Sequence, residues 1–514
     1  MCGIFGYIGD KDAAKIVATG LKRLEYRGYD SWGIAVVPKS KIKNQKSKTI
    51  FEKKIGKIGD AKLNSELLNL DSELAIGHTR WATHGGVTEA NAHPHFSTDK
   101  SFSLAQNGIV ENYTELKISL KKKNYKFISE TDTEVIVRLI EEKLKSTKDL
   151  FEAVRAAFQD LAGRNTIILI SKTGQIIAAR NGSPLVIGKN FESQEIYISS
   201  DTLSFAPYAK KMVVIENGQM INVQDKQILI SDIQSGKELD FEFEDIGFQA
   251  EKIDKEGYDH FMLKEIHESS YVIEQLINQD KTLFEKVADE IKHAKNVYTI
   301  GSGTAGIAAA QIAFYLRSIG KINAINLIGA DCTEYLPLFE KGDVIIAPSQ
   351  SGETADVLEI LEKCKKIGMK IASLVNMPGS SMSRLSDYKF MMHAGPEICV
   401  MSTKAFTSQI AWGYLLAKVI EGKYDEGTKK LKYLSIEIDK WLAEKNNHKK
   451  MQLLANSLIG KKDIFLLGKH QNFQIIREGM VKLIEGAYKH AHALPAGDLK
   501  HYVITLIEKG IPVI

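Results

Sequence analysis

Cys2 directly follows the initiator, and loss of Met1 would leave a thiol and a free α-amine on one residue. An α-amine with an ordinary pKa of about 7.7 to 8.0 can take the thiol's proton near neutral pH, so such a residue is nucleophile and base at once. The same cysteine could equally be a small buried side chain at the start of a strand. A second candidate lies in DVIIAPSQSGETADVL, where an apolar strand ends at Ser349, Gln350, Ser351, Gly352, Glu353 and Thr354 before a helix begins. Unpaired N–H groups at a helix start, with serine and threonine hydroxyls, suit a phosphate; an ordinary N-cap is the other reading. The loop has no Walker lysine, which favours a monophosphate over a nucleoside triphosphate. GSGTAG at Gly301 to Gly306 also opens a helix after a strand, but it breaks the spacing of a dinucleotide fingerprint. Glu478, Lys482 and Glu485 fall on one helical stretch, where a surface ion pair is the simple reading. His84, His93 and His95 have no regular ligand spacing, and Cys2, Cys332, Cys364 and Cys399 form no CxxC pair, so neither a metal site nor a disulfide framework is expected.

Elements must hold these groups in place. Residues 2 to about 223 read mostly as short strands, among them GIFGYIG, SWGIAVVP, ELAIGHTRWAT, TIILISK, QIIAARNG and EIYISSD. The helical stretches NYTELKISLKKKNY and TDTEVIVRLIEEKLK could cover the outer faces of stacked antiparallel sheets. Residues 224–285 are charged and irregular, and read as a linker ending in a helix. From there strand and helix alternate, which predicts a doubly wound parallel sheet over 286–425. KNVYTIGSG and KDIFLLGKH echo one another, so 460–514 reads as a second, partial unit of the same kind. At 514 residues the chain needs several domains, and 68 basic against 64 acidic side chains are too even for a nucleic-acid surface. The lysine-rich KSKIKNQKSKT, Lys39 to Thr49, reads as a solvated loop. Without a membrane-length apolar run, a secretory n-region or paired cysteines, the expectation is a cytoplasmic protein.

MCGIFGYIG, LEYRGYDSWG at Leu24 to Gly33, GHTRWATHGG at Gly77 to Gly86, NAHPH at Asn91 to His95, QNGIVEN at Gln106 to Asn112 and SETDTEV at Ser129 to Val135 together resemble a class II glutamine amidotransferase domain. More narrowly they resemble the glutamine-fructose-6-phosphate aminotransferase family. That resemblance implies a four-layer αββα N-terminal-nucleophile domain over 2–223. Arg80 would hold the α-carboxylate of L-glutamine as a two-pronged donor and Asp132 its α-ammonium. The Asn107 amide and the Gly108 N–H would stabilise the oxyanion. Thr83 and His84 would lie beside the glutamine, Arg27 and Gly28 on a loop over it, and Trp81 would gate an ammonia path. Taken singly, Arg80 could pair with a structural carboxylate, Asp132 could cap a helix and Trp81 could be core.

SQSGETADVL, GSGT, NMPGSS at Asn376 to Ser381 and AGPEICVMSTKAFTSQ at Ala394 to Gln409 resemble the sugar isomerase (SIS) domain of the same family. The resemblance implies fructose 6-phosphate as acceptor, with Ser349, Gln350, Ser351 and Thr354 on the phosphate, Thr304 close to it, and Val400 and Ser402 near the sugar. Glu485 would move the proton between the first two carbons and His501 would assist ring opening. Glucosamine 6-phosphate, the entry to amino-sugar synthesis, would be the product, with no cofactor and a homodimer as the working form. Trp32, Ala305 and Tyr502 depart from the family's small residue, serine and glycine. The family's Schiff-base lysine belongs to a tail for which this sequence offers no residue, so the expectation is a C-terminally truncated chain. The competing readings are a glutaminase without the synthase step and a protein that only binds sugar phosphate. Purine-pathway and asparagine-forming relatives would need phosphoribosyl or ATP-binding segments, and none is legible.

Overall fold

The computed structural model describes residues 2–39, 49–59, 61, 63–246 and 255–514. Most of the lysine-rich stretch, residues 40–48, lies outside them, as does Met1. The chain divides into two units, Met1–Ala250 and Glu251–Ile514.

In the first unit two antiparallel sheets, one of eight strands and one of six, stack face to face. The strand Gly3–Ile8 sits inside the larger sheet, between Glu195–Ser199 and Ser72–Arg80. Strand alternation sends one set of side chains to each face. Ile4, Ile8, Ala35, Leu74 and Ile76 therefore meet Ala105, Ile168, Ile170 and Ile176 of the smaller sheet in a dry middle layer. The opposite set, Phe5, Tyr7, Ile34, Val36 and Ala75, packs under Ala14, Val17 and Leu21 of the helix Ala13–Arg23. Trp32, the departure from the family pattern, is 1% exposed in that same outer cluster. Helices Thr133–Thr147 and Leu150–Gln159 cover the other sheet through Val135, Ile136, Ile140 and Val154. The order helix, sheet, sheet, helix is the expected αββα layering. The smaller sheet also takes in Gln227–Asp232, paired in register with Gln219–Gln224, from the stretch read as a linker. Its turn uses Asp225 and Lys226, both at positive φ (49° and 62°), so the hairpin lacks the glycine or asparagine that usually announces one.

In the second unit five parallel strands run in the order Ala324–Ile328, Val297–Gly301, Val344–Ser349, Lys370–Val375 and Tyr388–Met391. Buried helices cover it: Gly303–Ser318 and Lys404–Ile420 on one side, Ala355–Ile367 on the other. This is the doubly wound sheet anticipated from the strand-helix grammar. The echo is structural too, since Asp463–Gly468 enters the helix Gln471–Ala487 and pairs in parallel with His490–Pro495.

Candidate functional site

The strand Gly3–Ile8 sets Ile4 opposite His78 and Gly3 opposite Thr79, so one more step brings Cys2 level with Arg80 at the sheet's end. Ile76, His78 and Arg80 alternate onto the middle-layer face, and in the other sheet Asn107 follows Ala105 onto it. Cys2 is half-buried. Its Sγ lies 3.5 Å from the Trp81 carbonyl and accepts from the Trp81 N–H at 3.3 Å. Burial pushes the thiol's pKa up, opposed by that N–H, the N-terminal charge, Arg80 and Arg27. Two side chains grip the Cys2 carbonyl, Arg27 through Nε and Asn107 through Nδ2, each at 3.1 Å.

Arg27 is thus turned inward rather than laid over the site: it is 3% exposed and its guanidinium faces Asp201 at 3.5 Å. Gly28 is required by close approach, because a Cβ there would lie 2.7 to 2.9 Å from backbone atoms of Thr79, Arg80 and Trp81. Gly108 is required twice over, by φ of 121° and by the Arg164 carbonyl 2.0 Å from any Cβ. Among the described residues Arg80 forms no ion pair with a carboxylate; its guanidinium donates to the Gly86 carbonyl at 3.1 Å and to the carbonyls of His84 and Gly85, fixing the 84–86 loop. Asp132 stands at the start of its helix without capping it, and its Oδ2 accepts instead from the Val110 N–H at 2.7 Å, beside the Asn107 strand end. Thr83 is exposed, His84 meets the Tyr113 ring edge-on at 4.5 Å, and Trp81 is 38% exposed against Tyr29, which removes the core reading for it. His93 and His95 belong to a buried network rather than a ligand set, bonded to Thr133 and Thr131, and burial holds both rings well below the usual imidazole range. Among the described residues no cluster of His, Cys, Asp or Glu could hold a metal. The side chain that sequence reasoning passed over is His78, inside a quoted motif and within a strand; only the two-residue repeat pointing it inward with Arg80 could have flagged it.

In the second unit Val297–Gly301 and Val344–Ser349 are neighbours whose chain connections leave in opposite directions, the crevice where doubly wound sheets bind ligands. The GSGT turn and the Ser349–Thr354 loop both open there. Ser349 Oγ accepts from Gly352 N at 2.9 Å and Ser351 Oγ from Glu353 N at 3.2 Å, so the loop is internally tied. The Thr354 side chain makes no cap hydrogen bond to its helix. Gln350 is half-buried at the strand's end. Thr304 donates to Glu478 Oε1 at 2.9 Å, and Lys482 lies 2.8 Å from that carboxylate and 3.2 Å from the Thr304 hydroxyl. Glu485 stays open to solvent 3.7 Å from Lys482, as the surface-pair reading has it, whereas Glu478 is 6% exposed. His501 is exposed in the turn after His490–Pro495. Val400 is 44% exposed on a loop held by two buried carboxylates. Glu397 accepts from Ser402 Oγ at 2.9 Å and from Thr403 N at 2.8 Å; Glu265 accepts from the N–H groups of Ile398 and Cys399. Burial raises both, Glu265 to about 7.

The chain matches the glutamine amidotransferase domain over residues 41–228 and the SIS domain over 290–419. It is 37% identical, over all of its own length and 86% of the relative's, to a glutamine-fructose-6-phosphate aminotransferase (isomerizing) of Sulfurisphaera tokodaii. It is 36% identical to the enzyme so named in Clostridium tetani, again over its whole length and 85% of the relative's. The solved C-terminal domain of glucosamine-fructose-6-phosphate aminotransferase from Francisella tularensis is 28% identical, covering 51% of this chain and 77% of that one with a TM-score of 0.44. With two family domains in order and its whole length matched to such relatives, the chain belongs to the glutamine-fructose-6-phosphate aminotransferase family.

Proposed function

We propose that this protein releases ammonia from L-glutamine at Cys2 and transfers it to fructose 6-phosphate, giving glutamate and glucosamine 6-phosphate. The observation that carries the reading is the convergence of the Arg27 and Asn107 side chains on Cys2, at the sheet end where the neighbouring strand bears Arg80. After loss of Met1 the Cys2 amine takes the thiol proton as Sγ attacks the glutamine δ-carbon. Asn107 Nδ2 and the Gly108 N–H receive the oxyanion that forms. As it collapses the C–N bond breaks and the amine's proton leaves with ammonia. Water then splits the thioester, its proton returning through the amine to the sulfur, and glutamate departs. Asp132 holds the substrate's ammonium, Arg80 its carboxylate, Thr83, His84 and Gly28 line its bed, and Trp81 lies on the ammonia's way out.

In the acceptor half the Ser349–Thr354 loop and Thr304 take the phosphate, with Val400 and Ser402 along the sugar. His501 helps open the ring, ammonia adds to C2 with loss of water, and Glu485 moves a proton from C1 to C2. A homodimer is the form we expect in solution. Glutamate and glucosamine 6-phosphate are measured with and without fructose 6-phosphate, in the wild type and in Cys2→Ala. Glutamate release that vanishes in Cys2→Ala, with amino sugar still formed from ammonium, supports the reading. Glutamate without amino sugar would restrict the activity to glutamine hydrolysis, and Cys2→Ala with full release would remove it.

A further inference from the structure

His78 is fully buried, and its Nε2 lies 2.9 Å from the Gln106 main-chain carbonyl and 3.1 Å from Asn107 Oδ1. A main-chain carbonyl can only accept. It therefore selects the ring form with hydrogen on Nε2 and the lone pair on Nδ1, an atom enclosed without a hydrogen-bond partner among the described residues. Burial holds the ring's pKa down to about 3, so it stays neutral at working pH. An N–H on Nε2 in turn tolerates only the oxygen of the Asn107 carboxamide beside it. On the carboxamide's other side the Cys2 carbonyl, again acceptor only, takes Nδ2–H at 3.1 Å. Reversing the amide would set oxygen against the Cys2 carbonyl and N–H against N–H.

The strand beneath is pinned by a second imidazole. His93 Nδ1 accepts from the Gln106 N–H at 3.4 Å, so its Nε2 donates to Thr133 Oγ1 at 3.0 Å, and that hydroxyl donates to Gln106 Oε1. The His78 and His93 rings lie 4.3 Å apart. Polar groups this deep act only when every one points the right way.

We propose that His78 is a positioning residue for glutamine hydrolysis, locking the Asn107 carboxamide with its nitrogen towards the oxyanion. The proposal rests on the reading of Cys2 and Asn107 given above. In the full-length protein His78→Phe keeps an aromatic ring but no donor, whereas the amide of His78→Gln can place an N–H near the Nε2 position. The kcat for glutamate release should fall about tenfold or more in His78→Phe, within the roughly 100- to 1000-fold that loss of an oxyanion donor costs. KM for glutamine should stay within about twofold, and His78→Gln should recover most of the rate. Alkylation of Cys2 by iodoacetamide displaces iodide and forms no oxyanion, so its rate should not change. In an Asn107→Ala background His78→Phe should cost nothing further. Full kcat in His78→Phe overturns the proposal, as do losses that add to those of Asn107→Ala or an alkylation rate that falls with kcat. If Asn107→Ala itself hydrolyses glutamine normally, the reading of the site fails and the proposal falls with it, a result distinct from the others.

Discussion

At the scale of single residues, the first unit places donors and acceptors around one sulfur and leaves little room for change. Asn107→Ala should lower kcat for glutamate release by roughly 100- to 1000-fold with KM nearly constant, since the lost N–H acts on charge that appears only in the transition state; steady-state kinetics check this. Asp201→Asn should act one contact further out. Its carboxylate faces the Arg27 guanidinium, and both are buried, so removing the charge weakens the pairing that holds Arg27 behind Cys2. The expected outcome is a lower melting temperature together with faster alkylation of Cys2, because the Arg27 charge that favours the thiolate is then less offset; unchanged values for both would show that Arg27 does not depend on Asp201.

At the scale of elements, the acceptor half relies on loops tied down at strand ends. Gly352 turns the chain between the strand Val344–Ser349 and its helix at φ of 65°, and an added Cβ would sit 2.2 Å from Ser380 Oγ. Gly352→Ala must move that loop, so affinity for fructose 6-phosphate should fall about tenfold or more by calorimetry while glutamate release without sugar holds steady. Glu265 belongs to the helix Phe261–His267 and holds the loop through Ile398 and Cys399. Desolvation lifts its pKa from 4.5 to about 7, with Glu397 adding to the rise and Lys404 opposing it. The folded state therefore keeps a proton that the unfolded chain releases. Stability present below about pH 4.5 declines as pH rises to about 7 and is level beyond, a change of about 3 kcal/mol at 1.36 kcal/mol per pH unit. Glu265→Gln keeps the acceptor and removes the titration, so its melting temperature should vary less between pH 5 and 7 than the wild type's.

At the scale of the whole molecule, two units carry two chemistries, and Glu485→Gln should separate them: glucosamine 6-phosphate formation falls by about 100-fold or more while glutamate release persists. How much of this was legible depended on whether a feature is local. The strand and helix periods, the turn from antiparallel to alternating grammar at the end of the first unit, and the quoted motifs with Cys2, Asn107 and the Ser349 loop are local patterns, so the layered and doubly wound folds followed from them. The hairpin at Gln219–Asp232 was hidden because its turn residues carry no glycine signature. Arg27 read as part of a loop over the glutamine and Glu478 as one of three charged residues on a helix, yet both side chains are buried, because their partners Asp201 and Thr304 lie 174 residues away in each case. The residue types and their order determined what chemistry this protein could attempt. Which carbonyl orients His78, and which way the Asn107 amide then faces, arose only when strands 28 residues apart in sequence met across the middle layer, since a hydrogen bond's direction depends on what stands opposite.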